Sequence, residues 1–291
     1  MGEQTTQYDG VIPTGWLTAY GRTFTDIPYS QEMFGALEAI RANGDSAETL
    51  EIMKDTNLAP QFEARHLMLN KHIAATGIKQ VLEVAAGLST RGLELTADPD
   101  FTYVEVDLPG MVADKKKIVG DLQAAGKVPE RPNLFIEAGS ATDEADLRAA
   151  AEHFKAAKPI VIANEGLLRY LSMEAKRQYA DSVKTLLRKF GGAWVTSDIS
   201  LPSIIYKEDD IMAERRKKIS AITGINVANN LFKDEDDAKQ FFDDLGFSVE
   251  SHSFSEVLDE LTSPARLSMP RDYVDAINAS PVVFIMRLKH E

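Results

Sequence analysis

Apolar residues recur at helical intervals over the early part of the chain. Phe34, Leu37 and Ile40 form one stripe, and Leu58, Phe62, Leu69 and Ile73 form another on a later helix. Asn43-Gly44-Asp45 interrupts the first run, and Asp45 or Ser46 is placed to cap the helix that follows. Residues 1–76 therefore read as an N-terminal helical region. From residue 79 the period changes. Short β-type runs appear at Gln80–Ala86, Phe101–Val106, Asn133–Ala138, Pro159–Ala163, Ala193–Ile199, Phe247–Ser253 and Pro281–Leu288. Helical stretches at Thr90–Ala97, Val112–Ala125, Glu144–Ala157 and Ser172–Phe190 separate the early ones. Strands alternating with helices predict an α/β core over residues 77–291, a mostly parallel seven-stranded sheet covered on both faces. Runs such as Pro159-Ile-Val-Ile-Ala163 have the composition of strands buried on both sides.

Residues 202–245 break that rhythm. Glu208-Asp209-Asp210 and Ala213–Lys218 are densely charged, and Phe241, Phe242 and Leu245 close the stretch. It reads as a helical insertion over the strand ends, a candidate lid. The last two strand runs are joined by residues 254–280, long enough for a helix near Glu256–Leu261. No internal repeat or low-complexity linker is visible.

Composition narrows the function classes. The chain of 291 residues carries a net charge of −13, which repels phosphate backbones and anionic membranes and argues against both as partners. The apolar run Pro281–Met286 is far shorter than the ~20 residues a membrane helix needs. Met1–Gly10 is polar and shows no secretory signal; Gly2 with Thr6 fits the loose myristoylation pattern, but no basic cluster reinforces it. There are 0 cysteines, which excludes disulfides, thiolate nucleophiles and cysteine-based zinc sites and fits a cytoplasmic protein. His66, His72, His153, His252 and His290 are scattered without a helical pair, so no metal site is expected. Lys115-Lys116-Lys117 and Arg215-Arg216-Lys217-Lys218 read as solvated faces, and a hydrolase nucleophile elbow is missing. The oligomeric state is left open.

In open α/β sheets ligands sit beyond the carboxyl ends of the strands. After the first strand comes Glu83-Val-Ala-Ala-Gly87-Leu-Ser-Thr-Arg91, where Gly87 permits a tight turn and close approach of a ligand. This single glycine is not the dinucleotide fingerprint. After the second comes Val106-Asp107-Leu108-Pro109. Asp107 either binds a ribose hydroxyl pair or caps the helix starting at Pro109. After the fourth comes Asn164-Glu165-Gly166, whose carboxylate either faces the same crevice or is an ordinary loop residue.

Taken together, Glu83–Arg91, Val106-Asp107-Leu108-Pro109 with Lys117 downstream, and Glu165-Gly-Leu-Leu-Arg-Tyr-Leu171 resemble the leucine carboxyl methyltransferase family. The likeness covers roughly residues 60–200, with a looser match at Thr18–Arg22. It implies a class I, Rossmann-like methyltransferase fold that uses S-adenosylmethionine. By that resemblance Arg65 pairs with the cofactor's carboxylate, Gly87 lines its methionine side, Asp107 holds the ribose hydroxyls, and Glu165 sits beside it. Glu83, Ala85, Leu108, Gly139 and Ser140 complete the cofactor site, and Tyr20, Arg22, Arg169 and Tyr170 are candidates for the acceptor. The chain departs from the family at Ala85, where glycine is usual, and at Ser89, where aspartate is usual. It also has Gly139 or Ser140 where the family places an aspartate near the adenine.

The expected activity is methyl transfer to the oxygen of a small-molecule carboxylate or hydroxyl. A carboxylate acceptor needs no general base, whereas a phenol or alcohol does. Two other classes stay open: a non-catalytic S-adenosylmethionine-binding protein and a nucleotide-dependent oxidoreductase.

Overall fold

The computed structural model describes residues 9–42, 45–199, 201, 217 and 220–289. The side chains of the possible caps Asp45 and Ser46, the myristoylation pattern, His290 and residues 202–216, 218 and 219 lie outside what is described.

Seven strands form one sheet: β1 (Gln80–Val84), β2 (Thr102–Asp107), β3 (Leu134–Ala138), β4 (Ile160–Asn164), β5 (Gly192–Ile199), β6 (Phe247–Ser253) and β7 (Val282–Leu288). Their order is β3-β2-β1-β4-β5-β7-β6. β1 to β5 run parallel, and β7 enters antiparallel between β5 and β6. Each expected strand is present, with no end displaced by more than two residues and β6 matched at both ends. The chain order reverses between β1 and β4, so their carboxyl ends open the crevice that such sheets use for ligands.

The period of two along β1 divides the core. Leu82 and Val84 face the cluster that includes Leu147, Tyr179, Val183, Trp194 and Phe242. Val81 faces the opposite cluster, with Met68, Leu69, Ile73, Phe254 and Val257. Over the first face lie α7 (Glu144–Ala150), α8 (Met173–Phe190) and the helix Glu235–Asp244. Over the second lie α4 (Ala59–Ala75) and the 3-10 segment Phe254–Glu260, which takes the place of the expected helix near Glu256–Leu261. The two short helices Ser263–Arg266 and Arg271–Asn278 were not expected. Glu63 explains the first of them: its carboxylate accepts the amide and hydroxyl of both Thr262 and Ser263, at 2.6–2.9 Å. A side chain from α4 thereby caps a helix some 200 residues away in sequence.

The N-terminal helices α1 (Ile12–Arg22), α2 (Ser30–Arg41) and α3 (Asp45–Met53) share a third core with α5 (Arg91–Leu95) and α6 (Pro109–Ala124). Trp16, Leu17, Phe34 and Leu37 pack there against Leu88, Leu93, Met111 and Leu122. Lys115 corrects one expectation. It lies on the same helical stripe as Met111, Ile118 and Leu122, is buried, and forms an ion pair of 2.5 Å with Glu105. Only Lys116 and Lys117 form the solvated face. Burial of this pair pushes the Glu105 carboxyl up to about 7, with the Lys115 ammonium acting in the opposite direction. No helix among the described residues is long and apolar enough to cross a membrane.

Candidate functional site

A cleft opens at the carboxyl ends of β1, β2, β3 and β4. Arg22, Arg65, Glu83, Ala85, Gly87, Asp107, Leu108, Gly139, Ser140, Glu165, Arg169 and Tyr170 all line it. Of the residues singled out from the sequence, Tyr20 alone is not among its walls. Its ring packs on Phe24 and Phe34, at centroid distances of 5.3 and 5.1 Å, inside the N-terminal helices. Helix geometry turns Tyr20 away when Arg22, two residues later, faces the cleft.

The floor of the cleft is a buried charge cluster. Glu165 Oε1 accepts from Arg22 Nη2 at 2.6 Å and from Arg65 Nη2 at 3.0 Å, and its Oε2 accepts from Arg91 Nη2 at 2.9 Å. Arg91 also pairs with Glu83, whose other oxygen accepts from the Tyr103 hydroxyl at 2.9 Å. Asn70 Oδ1 accepts from Arg91 Nε at 2.6 Å, and His66 Nδ1 lies 3.2 Å from Arg91 Nη2. Three guanidiniums thus meet two carboxylates, and all five side chains are at least nine-tenths buried. The three arginines hold the Glu165 carboxyl well below the usual carboxylate range, outweighing burial, which alone would raise it. Burial and Arg91 push His66 down to about 4, so its ring is neutral at pH 7. The cluster keeps one positive charge in excess. Arg22 Nε is buried without a hydrogen-bond partner, so the floor has a donor to spare for an anion. The sequence pattern flagged Arg22, Arg65, Glu83 and Glu165, whereas Arg91, Asn70 and His66 received no role.

The turn after β1 is built from backbone geometry. Ala85 and Gly87 both have positive φ, 57° and 51°. The amides of Ala85 and Ala86 donate to Val106 O at 2.8 and 3.3 Å, which fixes the turn against β2. Gly87 leaves open space where a Cβ would stand. Ala85 occupies the position where the resembled family usually has glycine, and the left-handed conformation is disfavoured for alanine by ~1–2 kcal/mol. Ala85→Gly should therefore raise stability by about 0.5–1 kcal/mol in urea unfolding, after the larger entropy of a glycine in the unfolded chain is set against the relieved strain.

Asp107 does not cap α6; that helix begins without a side-chain cap. Its Oδ2 instead accepts the Gly87 amide at 2.6 Å and its Oδ1 accepts the Leu108 amide at 2.7 Å. The carboxylate ties the first turn to the second strand, with lone pairs left toward the cleft. Burial pushes this carboxyl up, and the two amides act against that push. Next to it, Gly139 has no room for a side chain: a Cβ there would stand 2.9 Å from Asp146 Cβ and 3.2 Å from Val106 Cγ1. Asp146 accepts the Ser140 amide at 2.8 Å, so the wall where the resembled family carries an aspartate shows the Ser140 and Thr142 hydroxyls, 3.0 Å apart.

On the opposite rim, Arg169 lies 3.9 Å from the buried Asp198, whose carboxyl is pushed up by burial and held down by Arg169. Asp198 also accepts the Leu168 amide, which fixes the 3-10 turn Leu168–Tyr170. Of the described part of 202–245, Ser220, Ile225 and Val227 line the cleft, whereas Glu235–Asp244 packs on the sheet face through Ala238, Phe241 and Phe242 and does not cover the strand ends. Lys176, buried at the start of α8, holds the segment between these two parts. Its Nζ donates to Leu171 O at 2.7 Å and Asn230 O at 2.6 Å, and burial lowers its ammonium to about 8. Among the described residues no histidine lines the cleft.

A leucine carboxyl methyltransferase family profile matches residues 28–184 of the 291. A Mycobacterium marinum protein, provisionally named S-adenosyl-L-methionine-dependent methyltransferase, is 29% identical over 188 residues, which is 62% of this chain and 56% of that protein. A Mycobacterium ulcerans protein of the same name is 29% identical over 194 residues, 64% of this chain and 57% of its own length. The chain spans about half the length of the curated relatives it matches. Among solved structures, an O-methyltransferase family protein from Burkholderia thailandensis superposes with a TM-score of 0.52 at 13% identity, covering 87% of this chain and 62% of that one. That likeness is one of fold, and it identifies the sheet as the class I methyltransferase type.

Proposed function

The chain belongs to the leucine carboxyl methyltransferase family, and on that premise we propose that it transfers the methyl group of S-adenosylmethionine to an oxygen of a small-molecule carboxylate or hydroxyl. One observation carries the reading: the Gly87 turn, the Asp107 carboxylate and the arginine floor meet in a single cleft at the switch in strand order. The residues present fit the cofactor. The excess positive charge and the spare Arg22 Nε suit its carboxylate, and Arg65 stands beside them. The free lone pairs of Asp107 suit a ribose diol. Leu88, Leu108 and Leu167 supply apolar wall, and Ser140 and Thr142 supply hydroxyls at the adenine end. This reading moves Arg22 from the acceptor to the cofactor side.

Bound S-adenosylmethionine supplies an electrophilic methyl on its sulfonium. The work left to the protein is then mainly positioning. Glu165 orients Arg22 and Arg65; Asp107 fixes the turn that borders the cofactor. A carboxylate acceptor arrives ionised and needs no base, which suits a cleft without a lining histidine among the described residues. Arg169 and Tyr170, which line the cleft after β4, face the acceptor.

Calorimetric titration with S-adenosylhomocysteine should give one site per chain. Labelled S-adenosylmethionine with a panel of small carboxylates and phenols should give labelled methyl ester from a carboxylate or labelled methyl ether from a phenol. Absence of binding would overturn the assignment of the cleft, and binding without product on any acceptor would favour a non-catalytic binder. Arg169→Met should raise the KM of an anionic acceptor by about tenfold and change the S-adenosylhomocysteine affinity far less, with a fall in Tm because the buried Asp198 also loses its guanidinium neighbour. Equal acceptor profiles for both proteins would place Arg169 outside the acceptor site.

A further inference from the structure

On the face of the sheet covered by α4, a second group of side chains converges away from the cleft. His72 continues the sheet-facing stripe Arg65, Met68, Leu69 of α4 and is only 4% exposed. Glu250 and His252 alternate on one face of the edge strand β6, and Glu256 follows on the 3-10 segment. Glu250, His252 and Glu256 are neighbours in sequence, but His72 is far from them and no helical histidine pair is visible; the fold brings His72 to the other three. One ligand atom from each of His72, His252 and Glu256 lies within 4.8 Å of the others. The two imidazole centroids are 4.2 Å apart.

Two features of this group are unexplained by packing. His72 Nε2 is buried and has no hydrogen-bond partner, although Glu256 Oε2 stands 4.0 Å away. A buried polar atom left unpaired is costly, so a partner is missing from its environment. The second feature is His252. Its Nε2 lies 3.0 Å from Glu250 Oε1, and its Nδ1 lies 2.9 Å from Glu256 Oε1. A neutral ring that donates from Nε2 to Glu250 turns the lone pair of Nδ1 toward a carboxylate oxygen. Two acceptors facing each other at that distance need a proton or a metal cation between them.

We propose that His72 Nε2, His252 Nδ1 and the Glu256 carboxylate bind a divalent transition-metal cation of the zinc type. Zinc takes imidazole and carboxylate ligands at ~2.0–2.2 Å, which places ligand atoms ~3.3–3.5 Å from one another in a tetrahedron. Small side-chain rotations bring the present group to that spacing. The remaining position is open to water, since His252 and Glu256 are part-exposed. The Glu250–His252 contact is the outer hydrogen bond that fixes the tautomer of a ligating imidazole. Lys71 Nζ, 2.9 Å from Glu256 Oε2, competes for the same carboxylate and is itself well exposed, so it can turn away. The site lies outside the cleft, and its effect is to tie α4, which carries Arg65 and Glu63, to the edge strand and the 3-10 segment.

The test is uptake of zinc by the full chain, read by competition with a chromophoric chelator. The absence of thiols makes the reading specific for nitrogen and oxygen ligands. One zinc per chain is expected, with a rise in Tm, and cobalt should give the intense visible bands of low coordination number. His252→Asn and Glu256→Gln should each weaken uptake by more than ~100-fold, and Glu250→Gln by about tenfold. Lys71→Gln should tighten it. His153→Asn, at a separate histidine–carboxylate pair, should leave it unchanged. His252 is preferred to the buried His72 as the ligand variant because its loss leaves the core intact, which circular dichroism checks. No uptake by the wild type, or uptake unchanged in His252→Asn and Glu256→Gln, overturns the proposal; the second result would place zinc elsewhere on the chain.

Discussion

Glu165→Gln lowers the unfolding free energy by about 3 kcal/mol at pH 7, near the lower end of the ~3–5 kcal/mol that breaking a buried ion pair costs. The wild-type carboxylate accepts from Arg22, Arg65 and Arg91, all at least nine-tenths buried. An amide keeps the shape but removes the charge and turns an NH2 group toward guanidinium donors. The figure stays near the lower end because Arg22 and Arg65 border the cleft and regain water there, while Arg91 does not. The pH dependence has a definite sign. The Glu165 carboxyl is held below its ordinary value of 4.5, so its stabilising contribution is complete above that pH and is lost as pH falls toward the folded-state value. The variant should lack this component of acid sensitivity, and the two stability curves should converge in strong acid. Added sulfate should raise the Tm of the variant more than that of the wild type, since three uncompensated arginines attract an anion. Equal urea midpoints for the two proteins at pH 7 would show that the cluster is not the keystone described above.

The centre of the sheet was legible because β1, β4 and β5 are buried on both faces and say so in composition. β4 reads Ile-Val-Ile-Ala-Asn and is buried throughout. Strand ends were less legible, because turn geometry and not hydrophobicity sets them: β1 stops at Val84 because Ala85 adopts a positive φ. The wall of the cleft could be read from the segments that follow each strand, since a parallel sheet places all those ends on one side. The charge floor could not. Glu165 draws its partners from 143, 100 and 74 residues away, and no local period couples such positions. Arg91 sat inside a segment already singled out, yet only the fold gives it Glu83, Asn70 and Glu165. The placement of Lys115 was within reach, since it shares a stripe with Met111, Ile118 and Leu122. The Glu256 region failed for a different reason: its short helical segment is fixed by tertiary contacts with α4, and such contacts override local propensity.

Asp107→Asn should cost at least 100-fold in affinity for S-adenosylhomocysteine while the fold survives. The usual argument treats asparagine as the gentle replacement for aspartate. Here it is not. Both carboxylate oxygens already accept backbone amides, from Gly87 at 2.6 Å and from Leu108 at 2.7 Å. Asparagine has one acceptor oxygen, so its NH2 must face one of those N–H groups, donor against donor. The side chain must turn, and the Gly87 turn loses its tie to β2. The charged acceptor for the ribose diol goes at the same time, and hydrogen bonds to charged groups contribute ~1.5–3 kcal/mol each. Two such bonds lost, partly offset by water, correspond to at least ~2.7 kcal/mol, or 100-fold. Asp107→Ala loses the same two bonds without inserting a misplaced donor, so it should stay near that ~100-fold and below the cost of the asparagine variant. The order Asn worse than Ala is the diagnostic outcome, because a residue that merely contacted the ligand would give the reverse. Calorimetry on the two variants, with Tm measured to confirm folding, decides it. If Asp107→Asn binds S-adenosylhomocysteine as the wild type does, Asp107 is a structural clasp for the turn alone and the ribose must be held elsewhere in the cleft.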